Sequence, residues 1–485
     1  MKLPLLSLLV FLPLFGAGLL WLLPARAARW LTAASMLATL ALGVAALVAY
    51  QPAGARFQLL EQASWSASLN VHYRLGVDGL SILFLPATAL LFLGSLVACW
   101  NVVQVSARLH YSLLLLLQTA MLGIFCALDT VLFFVFWELT LVPLYFLLGR
   151  WGVSSSSPQA AARYFLLMLA GGIPLLLAFV LLAASQPVPT FDLTVLLDAQ
   201  LPRSAQTAVF LLCLLAFGVK VPLVPLHTWL PQFALAAPGS LTALLLGLKL
   251  GAFGLIRFAV PLAPAAAQDM HWLLAGLGTV AILYGAVGML AQTNLRVGLA
   301  YASICHVGLA VLGLASYTAQ GAQGAVSLLL SFSVATGGAF LLLEFLRQRT
   351  GSTDLHALGG AAKTMPLLAT GFLICGLAGV GMPGTSSFPG EFLLIIAALH
   401  SHTGAGMAAL FGLSIAAGGF LALYRKAFFG PVTRPEVSQA QDLRPREWAV
   451  LVALIVMIVA IGIYPGPWIE IVRPAAEAWA TGLGR

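Results

Sequence analysis

The sequence predicts an all-α polytopic membrane protein of about fourteen transmembrane helices, built on two inverted five-helix repeats with breaks in the seventh and twelfth spans. Three observations predict it. Hydrophobic residues fill 61% of the 485 positions and charged residues only 8%, too few to wet a soluble surface. Apolar runs long enough to cross a bilayer recur along the whole chain. The charges inside those runs are few, and two of them, Lys220 and Glu391, adjoin proline clusters.

The spans are read near 3–23, 29–50, 78–100, 110–127, 130–149, 162–185, 206–237, 239–262, 271–291, 297–315, 322–346, 366–400, 404–424 and 447–465. Residues 2–27 carry features of a secretory leader, with Ala25-Arg26-Ala27 as a cleavage-like site, but their apolar run has full spanning length and is read as the first span. With both termini on the outer side, inside loops hold fourteen basic residues and outside segments six, which obeys the positive-inside rule. The net charge of +8 is thus mostly topology and no argument for nucleic-acid binding. The five cysteines lie scattered through apolar runs with no CxxC spacing, so the sequence offers no iron–sulfur or zinc ligand set. It has no Walker-type phosphate loop and no GxGxxG opening a helix after a strand.

After two nearly uncharged spans, a loop over 51–77 ends in LGVDGLSILF, where Asp78 stands at the mouth of the third span and reads equally as an N-cap. The fifth span, FFVFWELTLVPLYFLLGRWG, carries Glu138 near mid-depth, where a carboxylate is a functional candidate by default. In the seventh, FGVKVPLVPLHTWLP, Lys220 is followed by Pro222, Pro225 and Pro231, each of which removes an N–H and crowds the preceding turn. His227 just beyond is either a proton carrier or a histidine bonded to unwound backbone. The eighth span holds Lys249 in LLLGLKLGAFGLIRF, and the tenth holds His306 in NLRVGLAYASICHVGLAVLG, otherwise almost without polar groups. Ser331, Ser333 and Thr336 form part of a hydroxyl stripe in the eleventh, commonly a helix-packing feature and also able to hold water. In the twelfth, Pro383, Gly384, Pro389 and Gly390 precede Glu391. Glu138 to Lys220 is 82 residues and His306 to Glu391 is 85, so five-span units over 108–262 and 263–428 share one order of features. An odd number of spans inverts consecutive units. Residues 1–107 and 429–485 flank them, the latter read as a loop and a last span.

Taken together and in order, the five quoted segments and GLAGVGMPGTSSFPGEF resemble the antiporter-like proton-pumping subunits of NADH:quinone oxidoreductase, respiratory complex I, over about residues 70–430. Length and span number are most similar to the subunit-M (mitochondrial subunit-4) branch. The resemblance implies that Glu138 and Lys220 form the charge pair of the inner half-channel, Lys249 the central relay, His306 a further member of the hydrophilic axis and Glu391 the terminal group. It implies no redox cofactor here, with FMN, iron–sulfur clusters and quinone in partner subunits, and neighbours that include other antiporter-like subunits in a bacterial inner membrane. A D-type subunit of a multisubunit cation/proton antiporter, or a membrane subunit of a hydrogenase or inorganic-carbon uptake complex, shares nearly the same motifs.

Two departures stand out. The family carries acidic and histidine residues after WLP where this chain has Gln232-Phe233-Ala234-Leu235-Ala236, in a shortened segment, and a histidine in the eleventh span where this chain has Phe332. A relay from Lys249 to Glu391 is therefore expected to rely on Ser331, Ser333, Thr336 and water. The expected mechanism is electrostatic: low dielectric disfavours an ammonium and a nearby carboxylate favours it, so moving Glu138 away from Lys220 releases a proton toward Lys249.

Overall fold

A computed structural model describes residues 4–483. Among these, eleven helices are long and apolar enough to cross a membrane, and four shorter apolar helices, Leu5–Leu19, Phe84–Cys99, Pro366–Gly379 and Ser387–Ser401, accompany them. Each span read from the sequence falls on one or two of these helices, because in hydrocarbon only a helix or a closed barrel satisfies every backbone group internally. The 32-residue helix Ala319–Thr350 and the segment Gly239–Ala259, wholly buried, form the centre. Helix Ser157–Ala184 turns Leu166, Ile173, Leu177 and Val180 outward, the apolar face expected against lipid.

The breaks carry the architecture of the site. The seventh span ends its first helix, Arg203–Lys220, at Lys220 and resumes at Trp229–Ala236. The twelfth stops at Gly379 and resumes at Ser387, four residues before Glu391. The eighth breaks as well, which proline counting does not foresee. Lys249 itself takes a left-handed conformation (φ 45°, ψ 45°) between helices Gly239–Leu248 and Leu250–Gly254, and a π-helical turn, Leu255–Ala259, follows. A non-glycine residue there costs roughly 1–2 kcal/mol and persists where surrounding packing imposes it. In the fifth span the turn at Thr140 is loosened between Thr130–Leu139 and Leu141–Trp151, three residues before Pro143.

Two elements were not read from the sequence. The loop before the third span folds as an antiparallel hairpin, Gln58–Ser66 with Val71–Val77, pairing Glu61 with Leu75 and Ser64 with His72. Its Glu61 carboxylate accepts the amides of Leu6 (2.7 Å) and Ser7 (2.9 Å), capping the first helix. The chain's last part is more than a loop and a span: a further helix, Gly466–Gly482, lies against the turn Asp78–Gly79, where a Cβ on Gly79 would overlap the Ile471 carbonyl. Its Trp479 indole donates to the Ile256 carbonyl in the π-helical turn (2.9 Å).

Candidate functional site

Lys220 is buried at the end of its helix, with the ammonium 3.1 Å from Thr140 Oγ1, 3.5 Å from the Trp137 carbonyl and 3.7 Å from the centroid of the Trp137 ring. A cation over an indole face, bonded to a hydroxyl and a carbonyl, is held without a carboxylate. Glu138 lies one residue from Trp137, yet both its carboxylate oxygens are buried and without hydrogen-bond partners. In this conformation the sequence-paired groups are neighbours that do not touch. The Glu138 carboxylate rests against the backbone of Gly172, where a Cβ would overlap Oε1. The backbone at Lys220–Val221 abuts Gly251, two residues past Lys249, whose added Cβ would come within 2.7 Å of the Val221 amide nitrogen.

Lys249, 5% exposed, donates to Ser303 Oγ and faces the Phe332 ring, 4.9 Å from its centroid. Phe332 in turn meets the His306 imidazole edge-on at 5.8 Å. His306, 1% exposed, uses Nδ1 on the Ala302 carbonyl (2.7 Å) and turns Nε2 to Glu391 Oε1 at 3.5 Å. Glu391 mirrors Glu138: a Cβ on Gly381 (φ 70°) would overlap its carboxylate. The structure thus brings Lys249, His306 and Glu391 into one buried row, with Glu138 and Lys220 in an adjoining pocket.

The auxiliary residues divide. Thr336 borders a small cavity shared with Ser303, His306 and Phe332. Ser331 is bonded to Ser386 (2.6 Å) and Ser387 (2.8 Å) at the twelfth-span break. Ser333 donates to the Gly247 carbonyl at 3.2 Å, beside the break at Lys249. His227 stacks edge-on against Tyr284 with Nδ1 unbonded. The hydroxyl that reaches Lys249 is Ser303, in the tenth span, not one from the eleventh. Its signal was available: it precedes His306 by three residues, on the same helix face.

Reading the residues also missed Arg257, the third basic residue inside a span. It forms a buried two-pronged pair with Asp78 (2.5 and 2.6 Å), so Asp78, which also accepts the Leu80 amide, is an anchor for the π-helical turn as well as a turn cap. These partners are 179 residues apart and only packing joins them. Gly172 and Gly381 give no sequence signal, since their role is to have no side chain beside a carboxylate. All five cysteines are free and buried, and among the described residues no three His, Cys, Asp or Glu side chains cluster as metal ligands.

Residues 127–416, the stretch that contains this whole row, match the family model described as NADH:quinone oxidoreductase/Mrp antiporter, TM. The chain belongs to this antiporter-like membrane family. Among its relatives, NADH-quinone oxidoreductase subunit M of Rhodobacter capsulatus is 32% identical across 97% of this chain and 95% of its own length. NAD(P)H-quinone oxidoreductase chain 4 3 of Trichormus variabilis is 34% identical across 95% of this chain and 88% of its own. In the solved structure titled respiratory complex I from Thermus thermophilus with bound NADH, one chain superposes with TM-score 0.91 at 34% identity, covering 99% of this chain and 100% of that one. A chain of the Mrp complex from Dietzia sp. superposes at 0.85 with 24% identity, over 98% of this chain and 97% of that one, and shares the antiporter-like fold.

Proposed function

We propose that this chain is the proton-translocating, antiporter-like subunit of a respiratory NADH:quinone oxidoreductase. The observation that carries this reading is the buried row Lys249, His306 and Glu391, with buried Lys220 and the buried carboxylate of Glu138 beside it, at breaks or in packed interior where each unneutralised charge costs a few kcal/mol on insertion scales. Near full-length similarity to subunits named M or 4 supports this parent complex over the cation/proton antiporters.

Glu138 and Lys220 form the first exchange site. When the carboxylate approaches, it favours the ammonium; when it rests against Gly172, as here, Lys220 keeps only Thr140 and Trp137 and yields its proton toward Lys249. Lys249 is the central carrier, and His306 with Glu391 forms the terminal site toward the outer side or a neighbouring subunit. The unwound segments 221–228 and 380–386 offer backbone groups for water at membrane depth. His227, Ser331, Ser333 and Thr336 are auxiliary. Residues 108–262 and 263–428 act as the two inverted units, flanked by 1–107 and 429–485. The chain resides in a bacterial inner (cytoplasmic) membrane with both termini outside, beside other membrane and peripheral subunits that hold FMN, iron–sulfur clusters and quinone.

The test is a gentle detergent pull-down of the tagged chain, assayed for NADH-dependent quinone reduction and for flavin and iron–sulfur absorbance. Co-purifying activity and cofactors are expected. Recovery of apolar subunits alone, with sodium-dependent proton flux, overturns the assignment in favour of a cation/proton antiporter.

A further inference from the structure

The row has a gap between Lys249 and Glu391, and the residue standing in it is Phe332. Its ring contacts both the Lys249 ammonium, 4.9 Å from its centroid, and the His306 imidazole, edge-on at 5.8 Å. A phenyl ring seats a cation but accepts no proton, and its bulk keeps water out of the direct line. A proton leaving Lys249 therefore needs another route. The polar group in contact with the ammonium is Ser303 Oγ, 2% exposed. A serine hydroxyl has two lone pairs and one O–H; accepting from Lys249 uses one lone pair and leaves the O–H free to donate. Next to it is a cavity of about 20 Å³ bordered by Ser303, His306, Phe332 and Thr336, room for a single water.

The far end is built to take one proton. His306 Nδ1 is committed to the Ala302 carbonyl, so in the neutral ring Nε2 carries the lone pair. That lone pair faces Glu391 Oε1 at 3.5 Å, and neither atom has a hydrogen-bond partner. Two buried acceptors face to face are costly unless one of them holds a proton.

We infer that Ser303 is the hydroxyl that carries the proton from Lys249 around Phe332 to the His306–Glu391 pair, an inference that rests on the proton-translocating reading above. In the step, an N–H bond of Lys249 breaks as Ser303 Oγ takes that proton, and the original Ser303 O–H proton passes to a water in the cavity. The water gives one of its protons to His306 Nε2. Lys249 is left a neutral amine, serine and water are restored, and His306 becomes an imidazolium beside Glu391, which takes the proton next. One positive charge has moved, with no co-reactant consumed. Phe332 thus forces the path through the tenth helix.

The test uses the intact complex in liposomes, with native gels for assembly and protons moved per NADH oxidised as the readout. Ser303→Ala is expected to remove this chain's share of that ratio, because losing a positioned proton-transfer group slows the step by roughly a hundredfold or more. Ser303→Thr keeps the hydroxyl and is expected to retain pumping. The double variant Ser303→Ala/Phe332→His places an imidazole between Lys249 and His306 and is expected to recover, which a packing role for Ser303 would not produce. A wild-type ratio in Ser303→Ala overturns the inference, as does failure of both Ser303→Thr and the double variant to recover it. Lys249→Ala separates the two levels: if it lowers the ratio while Ser303→Ala does not, only the Ser303 route falls; if Lys249→Ala keeps the wild-type ratio, the proton-translocating reading falls with it.

Discussion

Replacing Gly172 with alanine tests whether the position of the Glu138 carboxylate, rather than its mere presence, controls Lys220. A Cβ at Gly172 would overlap Oε1 and lie 2.9 Å from Cδ of Glu138, against 3.4 Å for ordinary contact. Cδ must therefore retreat by 3.4 − 2.9 = 0.5 Å, and the overlapping oxygen by more. The obstacle is the free end of a flexible side chain, so the carboxylate swings away and the fold stays intact. For two unit charges about 5 Å apart at an effective dielectric constant of about 20, a shift of ~1 Å changes the interaction by roughly 0.5–1 kcal/mol. That is a two- to five-fold change, in order of magnitude, in how readily Lys220 holds its proton. The assay is proton translocation per NADH oxidised in reconstituted complex, with thermal unfolding measured alongside. Gly172→Ala is expected to alter the ratio by a few-fold with unfolding nearly unchanged. A wild-type ratio in a fully assembled complex would refute the argument that the glycine seat sets the carboxylate.

Lys220→Ala and Glu138→Gln should each reduce proton translocation per NADH oxidised; wild-type ratios from both would remove the charge-pair mechanism. Asp78→Asn leaves Arg257 charged and unpaired in the interior, a loss of about 3–5 kcal/mol for breaking a buried pair, read as reduced assembly or a lower unfolding temperature. Unchanged assembly and unfolding would place the anchor of the π-helical turn elsewhere. Where helices His271–Leu290 and Thr403–Phe428 begin, His271 Nδ1 and His402 Nε2 lie 2.8 Å apart. Burial first, and the neighbouring His271 second, hold His402 below the ordinary 6.5. The unfolded corner then binds a proton that the folded one refuses, so stability is full above pH 6.5 and falls as pH drops through it. Hydrogen-exchange protection around 270–272 and 402–404, taken relative to the intrinsic rate at each pH, should fall between about pH 7 and pH 5.5, and constant protection would count against the pair.

The amino-acid sequence determined the class and the outline by itself. Span-length apolar runs admit only helices in hydrocarbon, and the prolines after Lys220 and before Glu391 mark two of the breaks. Five ionisable side chains at membrane depth could be named as candidates because burying a charge there is costly enough to need a reason. The hairpin over 58–77 was not legible: its strands alternate poorly, with one largely solvated, and its pairing includes register irregularities. Nor was the break at Lys249, since no proline marks that position, Gly247 and Gly251 only flank it, and its left-handed backbone follows from the packing around it. Tertiary structure alone decided that Asp78 meets Arg257, that Ser303 rather than an eleventh-span hydroxyl meets Lys249, and that Phe332 touches both Lys249 and His306. It also decided that the two carboxylates rest on glycines. The reason is one of range: composition and periodicity act along the chain and report what each helix must bury, whereas the partner of a buried charge comes from another helix, up to 179 residues away, and is selected only when the helices pack.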